Sequence, residues 1–381
     1  MNPILQNPIV NFFVDLIIRL RIFMFKTNGR LPLDYHWKRR IIKLSYLNRD
    51  AWRKNGVDIP ELKKKSIAFL SSNFNGYKDP SWTLFYSRLN GIADHRYIPE
   101  DLYYDLIEKK LNHQDLIKAY KDKNMYDKLL PEVNFPNTVA RIMKGRIYNR
   151  NYHPMPRHEL EQAGRDNRKL VLKPAIDSGG GKNVVIDDAG VVLDHIRDIL
   201  DSAEHPNQKN YIVQEHICQH PDISKFHPES INTLRIMTMR IDNEIVHLSS
   251  ALRMGRHACC SDNVTAGGIG CGVDQEGRLK KYAYDKLFKS FERHPDTGLR
   301  FEGEKIPRYR DLVNMTINLH KNMIYFDIIS WDVTAGLDNE LYVIEMNLYY
   351  QALNHLQVAN GPIFGRNTER ALEILKGKIL P

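Results

Sequence analysis

The chain has 381 residues, 42% hydrophobic and 10% aromatic, which argues against extended disorder and is too long for one ordinary compact domain. Its four cysteines, Cys218, Cys259, Cys260 and Cys271, include no CxxC pair, which argues against a disulfide scaffold or structural zinc and points to reduced thiols in the cytoplasm. The formal net charge of +9 sits in residues 1 to 65, where 14 Lys and Arg face 5 Asp and Glu; beyond that point the count is 41 against 41.

The first predicted element is an amphipathic helix over residues 9 to 25 (IVNFFVDLIIRLRIFMF). Asp15, Arg19 and Arg21 interrupt the apolar run, so it is neither a membrane span nor a signal peptide. Asn11, Asp15 and Arg19 share one helical face. Two partners fit that helix: the protein's own core or a second subunit, and an anionic membrane surface. The membrane alternative draws on Lys38-Arg39-Arg40 and Lys63-Lys64-Lys65 downstream. Further helices are expected near 36–48, 100–111 and 114–121, giving a helical, basic N-terminal region over 1–120 with no dinucleotide-binding signature.

After about residue 165 short β-rich runs appear: Lys169 to Pro174, Asn183 to Ile186, Tyr211 to Glu215, Thr233 to Ile241 and Ile245 to Met254. A helix, Val192 to Ser202, interrupts them. Asp242-Asn243 reads as the turn of a first hairpin. Ile324 to Val333 and Leu341 to Met346, joined through Gly336-Leu337-Asp338-Asn339, read as a second. A helix from about Arg366 to Lys376 closes the chain. This order predicts an α+β fold built on antiparallel sheets.

Three constellations carry chemistry. Asp332 near the end of one strand and Glu345 and Asn347 near the end of the next can converge across the second hairpin. Glu345 and Asn347 differ by two and share a face. Two carboxylates and an amide oxygen form a hard site suited to Mg²⁺ (or Mn²⁺), which takes its remaining ligands from water and phosphate. The apolar flanks make these central strands, so the carboxylates need a partner. Lys173 ends a strand and precedes Ser178-Gly179-Gly180-Gly181-Lys182, a loop whose N–H groups can approach phosphate oxygens. It is not a Walker loop. Tyr211 to Val213 then runs into Gln214-Glu215-His216, the usual form of an adenine-binding hinge. Asp222, seven residues beyond Glu215, fits a ribose acceptor or a plain loop aspartate equally.

The order of lysine on a strand, Gly-rich loop, Gln-Glu hinge and Asp…Glu-x-Asn resembles the ATP-grasp superfamily. The resemblance is closer to its sugar-transfer-associated family. Carrying it are Asp122-Lys123-Asn124, Leu172-Lys173-Pro174, Asn232-Thr233-Leu234-Arg235, Arg253-Met254-Gly255, Asp262-Asn263 with Gly267-Gly268, Trp331-Asp332, Glu345-Met346-Asn347 and Gly361-Pro362-Ile363-Phe364-Gly365. It covers about residues 75 to 375. By this resemblance Lys123 and Lys173 hold ATP phosphates, with Lys128 an alternative to Lys123. Ser178, Gly179, Gly180 and Gly181 close over the phosphates, and Gln214, Glu215, His216 and Asp222 belong to the nucleotide site. Asp332, Glu345 and Asn347 bind Mg²⁺. Arg235 and Arg253 face the γ-phosphate and an acyl-phosphate, and Asn263 joins them as catalytic. The implied subdomains are 121–216 and 217–381.

The expected function is an ATP- and Mg²⁺-dependent carboxylate–amine ligase working through an acyl-phosphate. The resemblance implies a sugar acid or amino acid of surface polysaccharide biosynthesis as substrate. An ATP-grasp kinase acting on a hydroxyl, or a non-catalytic glycan-associated scaffold, are the alternatives. The expected partners are small-molecule or glycan carboxylates and amines, not nucleic acid. The expected location is the cytoplasm, at the inner membrane surface if residues 9–25 take the membrane alternative. The sequence leaves the oligomeric state open.

Overall fold

The computed structural model describes residues 35–48, 57–163, 169–176, 183–257 and 261–379. The expected helix at 9–25, the glycine loop Ser178 to Lys182 and the pair Cys259-Cys260 lie outside the described residues. None of the described helices is long and apolar enough to cross a membrane.

The chain divides into two compact units. The first takes the described residues up to Lys110, with Leu287–Lys289 and the chain from Gly361. It is helical: Tyr35–Leu47, Ile59–Asn73, Ser81–Asn90, a helical run beginning at Glu100 and containing a π-turn, and Thr368–Ile379 at the C-terminal end. Asp58 caps the second helix by accepting from the Glu61 N–H at 3.2 Å, and Pro60 occupies its first turn. Aromatic side chains fill this unit's core: Trp82, Phe85, Tyr86, Tyr97, Tyr103 and Phe288 are all buried. In this division the C-terminal segment from Gly361 groups with the N-terminal helices.

The second unit runs from Leu111 to Lys286 and from Ser290 to Asn360. It contains two antiparallel sheets. The smaller has strands β1 (Thr138–Met143), β2 (Arg146–Tyr148), β3 (Lys169–Pro174), β4 (Val185–Asp188) and β5 (Tyr211–Glu215), in the order β2-β1-β5-β3-β4. One face is covered by helix Ala189–Asp201. There Val192, Leu193 and Ile196 meet Leu170, Leu172, Ala140, Ile142 and Val213.

The larger sheet has β6 (Leu234–Ile241), β7 (Glu244–Met254), β8 (Ile269–Val273), β9 (Leu279–Tyr284), β10 (Ser290–Phe291), β11 (Ile328–Ala335) and β12 (Leu341–Asn347), in the order β10-β9-β8-β7-β6-β11-β12. Alternation sorts its side chains. Leu234, Ile236, Leu252, Met254, Cys271, Trp331, Val333 and Met346 form a buried core with helix Tyr309–Lys321. The opposite face carries Arg235, Arg253 and Asp332. Helix Leu353–Asn360 packs closely on β8, where a Cβ on Gly272 would stand 2.9 Å from the Ala359 carbonyl; only glycine allows that approach.

Candidate active site

The two sheets of the second unit line a cavity of about 550 Å³. From the smaller sheet and its flank come Pro136, Val171, Lys173, Ile186, Gln214 and Glu215. From the larger come Arg235, Arg253, Ile344, Glu345 and Asn347.

Strand register builds the charged floor. Asp332 on β11 is paired with Arg235 on β6 and, on its other side, with Glu345 on β12. Three charged residues therefore form one row across three adjacent strands. A bulge follows Asp332 in the β11–β12 pairing, where Val333 meets Val343 and Ile344 is the extra residue. The bulge explains why Val343 and Met346, three apart, both reach the core, while Ile344 and Glu345, adjacent, both line the cavity.

Asp332 is 3% exposed. Arg235 donates Nε to its Oδ1 at 2.6 Å and an NH2 hydrogen to Oδ2 at 2.9 Å. Arg253 donates NH1 to the same Oδ2 at 2.9 Å, and NH2 to Asp262 Oδ1 at 2.9 Å. Asp262 in turn accepts from the Thr233 N–H at 3.1 Å and from the Thr233 hydroxyl. The loop bearing Asp262 can lie against β7 because residue 268 is glycine: a Cβ there would come within 2.6 Å of both the Asp262 and Met254 carbonyl oxygens.

Burial pushes the Asp332 carboxyl up, but Arg235 and Arg253 outweigh it and hold the group below the usual range. Asp262 goes the other way, because its burial outweighs Arg253. Glu345 accepts from Lys123 Nζ at 2.9 Å; this lysine outweighs burial and lowers the Glu345 carboxyl.

Lys123 is 4% exposed and lines the cavity from a short 3₁₀ turn capped by Asp122, which accepts from the Asn124 N–H at 3.0 Å. Its backbone N–H bonds the Ala175 carbonyl, just after β3, and so ties it to the strand carrying Lys173. Lys128, the alternative, stands over the Tyr152 ring at 3.8 Å and is not among the cavity-lining residues.

Lys173 is pushed down to about 8 by burial first and by Lys123 second. A bound polyphosphate would restore its proton affinity. Above pH 8, nucleotide binding should therefore take up a proton. Calorimetric titration of AMP-PNP at pH 8.5 in buffers of different ionisation enthalpy measures this. A Lys173→Met variant should lose the uptake and bind nucleotide at least tenfold more weakly, about 1.4 kcal/mol.

The other expected residues divide. Gln214 and Glu215 line the cavity, although the Gln214 amide donates to the Pro136 carbonyl at 3.0 Å. Asn263 lines it too, its Oδ1 accepting from the Thr265 N–H at 2.8 Å. His216 and Asp222 are not among the residues lining this cavity. Asp222 lies in the short helix Pro221–Ser224, exposed, 3.7 Å from Lys225. Sequence reasoning missed Lys121, Thr233, Tyr349, Tyr350 and His355, all of which line the cavity.

Among the described residues no three His, Cys, Asp or Glu side chains gather as a metal site. Asp332 and Glu345 are paired across β11 and β12. Asn347 donates Nδ2 to Asp332 at 3.2 Å, so its carbonyl oxygen is not used in that bond. This set fits Mg²⁺, which needs few protein ligands when phosphate and water complete its shell.

The two antiparallel sheets, with a cavity floored by paired cations and carboxylates, make this an ATP-grasp fold. The chain belongs to the sugar-transfer associated ATP-grasp family, whose model matches residues 104–370. No curated protein sequence matches it. Among solved structures it is similar to the biotin carboxylase domain of Hydrogenobacter thermophilus 2-oxoglutarate carboxylase, with 14% identity and a TM-score of 0.40, covering 71% of this chain and 48% of that one. It is similar to an L-amino acid ligase from Bacillus licheniformis, with 13% identity and a TM-score of 0.37, covering 68% and 48%. N5-carboxyaminoimidazole synthase from Aspergillus clavatus shows 10% identity and a TM-score of 0.37, covering 68% and 54%. The matches thus span about half the length of those proteins.

Proposed function

We propose that this protein is an ATP- and Mg²⁺-dependent carboxylate–amine ligase, acting on a sugar acid or amino acid of surface polysaccharide biosynthesis. The observation carrying this reading is that Lys123, Lys173, Arg235, Arg253, Glu345 and Asn347 line one cavity, with the buried Asp332 bonded to Arg235, Arg253 and Asn347. Family membership supports the nucleotide; the family's description supports the link to glycan chemistry.

In this reading a substrate carboxylate oxygen attacks the γ-phosphorus, the bond to the β-phosphate oxygen breaks, and ADP leaves. An amine then attacks the acyl carbon, phosphate departs with the C–O electron pair, and the amine's surplus proton goes to solvent. Asp332, Glu345 and Asn347 would hold Mg²⁺, which when bound neutralises charge on the phosphates. Lys123 and Lys173 hold phosphate oxygens. Arg235 and Arg253 present planar forks already fixed by Asp332 and Asp262, so donor placement costs no reorganisation during transfer. The apolar wall of Val171, Ile186 and Ile344 suits a purine. Excluding water protects an acyl-phosphate from hydrolysis.

The basic segment 1–65 supports a second proposed element, attachment to an anionic lipid surface at the cytoplasmic face.

The test is ADP release from purified protein against pairs of uronic acids and amines, with and without Mg²⁺. Release that needs Mg²⁺, a carboxylate and an amine together is expected. A phosphorylated hydroxyl product formed without amine would replace the ligase by a kinase. Failure to bind Mg·AMP-PNP would end the catalytic reading.

A further inference from the structure

Along one stretch of chain the cavity lining changes character. Ile344 is apolar, Glu345 and Asn347 are the oxygen donors, and Tyr349 and Tyr350 follow. Lys121, from the end of helix Ile117–Tyr120, meets this last stretch: its Nζ stands 4.0 Å from the centre of the Tyr349 ring. Lys121 is 6% exposed, yet it lines the cavity and contributes to lowering the Glu345 carboxyl. A desolvated ammonium on an aromatic face is stabilised by the ring while its N–H groups can still reach an anion. Tyr350 is 68% exposed, its ring 5.3 Å from that of Tyr349. Both Tyr350 and Ala352 have positive φ, 51° and 63°; such strain collects at ligand sites.

We propose that Lys121, with Tyr349 and Tyr350, seats the carboxylate of the acyl substrate, and that this substrate is a hexuronic acid rather than an amino acid. The proposal rests on the ligase reading above. Lys123, Lys173 and the two arginines already serve the phosphates, so Lys121 supplies a further cation on the side of Glu345 reached by Tyr349. Adjacent tyrosine rings offer the flat faces on which sugar C–H groups stack. An amino acid would also need a carboxylate for its ammonium group. Of the acidic lining residues, Asp262 is bonded to Arg253 and Glu345 to Lys123, and Glu215 lies at the end of β5 on the smaller sheet.

The test is calorimetric titration of D-glucuronate, D-glucose and L-glutamate into the full chain saturated with Mg·AMP-PNP. Glucuronate should bind, and glucose and glutamate at least tenfold more weakly. Lys121→Met should weaken glucuronate binding at least tenfold, about 1.4 kcal/mol. Its Mg·AMP-PNP affinity should stay within about threefold of wild type, which also shows that the variant is folded. Lys121→Arg should recover most of the glucuronate affinity. An equal loss of nucleotide affinity would make Lys121 a phosphate ligand and overturn the proposal. Tighter binding of glutamate, or no glucuronate binding by wild type that binds Mg·AMP-PNP, would also overturn it. Wild type that binds no Mg·AMP-PNP would instead strike the ligase reading.

Discussion

Glu345→Gln should lower Mg²⁺-dependent ADP release by about a thousandfold or more while leaving the protein folded. The substitution keeps shape and one acceptor oxygen but removes the charge that faces Lys123 at 2.9 Å. Two consequences follow. The proposed metal site keeps a single charged ligand, Asp332, which already bonds both Arg235 and Arg253. Lys123 loses its anionic partner in a cavity where it is 4% exposed. The structural cost is moderated because the Glu345 side chain is 25% exposed; about 1–3 kcal/mol is the expected scale. Thermal melting separates the two effects. A variant that melts within a few degrees of wild type yet releases no ADP fits the assignment; one retaining more than a tenth of the rate removes Glu345 from the metal site.

Asp332→Ala should be the most destabilising single change at the site. It removes the shared partner of two guanidinium groups, Arg235 at 2.6 and 2.9 Å and Arg253 at 2.9 Å. Deleting one member of a buried ion pair costs about 3–5 kcal/mol, because the other charge stays buried and unmatched. For a unit of this size that corresponds to a melting-point fall of roughly 10 °C. Replacing both charges by apolar groups should behave differently. In Arg235→Met/Asp332→Leu the buried pair is gone and Arg253 keeps Asp262 at 2.9 Å, so much of the stability should return. ADP release should not return with it. Recovery of activity in the double variant would mean that the ion pair holds the sheet together without serving the chemistry.

The strands of the second unit were legible as short runs rich in apolar and β-branched residues. Tyr211 to Glu215 and the hairpin around Asp242-Asn243 appear as expected, since one face of each sheet is buried in its own core. Helices Ile59–Asn73 and Ser81–Asn90 were not foreseen, nor was the β1–β2 hairpin. Ser81–Asn90 buries Trp82, Thr83, Phe85, Tyr86, Ser87 and Leu89; a helix buried on so many sides has no clear apolar stripe to read. The spacing between Asp332 and Glu345 suggested convergence, and their direct pairing agrees with it. The bulge at Ile344 could not be read from spacing, because an extra residue leaves no mark in composition.

What the sequence determined by itself was local chemistry: a lysine near a strand end, a Gln-Glu pair closing a strand, and Asp…Glu-x-Asn across a hairpin. Each depends on the short repeat of a strand and on which side chains carry charge. Tertiary structure decided which charges meet. Arg235, Arg253 and Asp332 come from three strands, and only the order β7-β6-β11-β12 makes them neighbours. Lys121 illustrates the same limit. It lies two residues before Lys123 and reads as one more surface cation in a basic stretch; the fold buries it against Tyr349, 228 positions away along the chain. Pairing between distant strands is set by burial summed over whole sheets, and no short window of residues contains that sum.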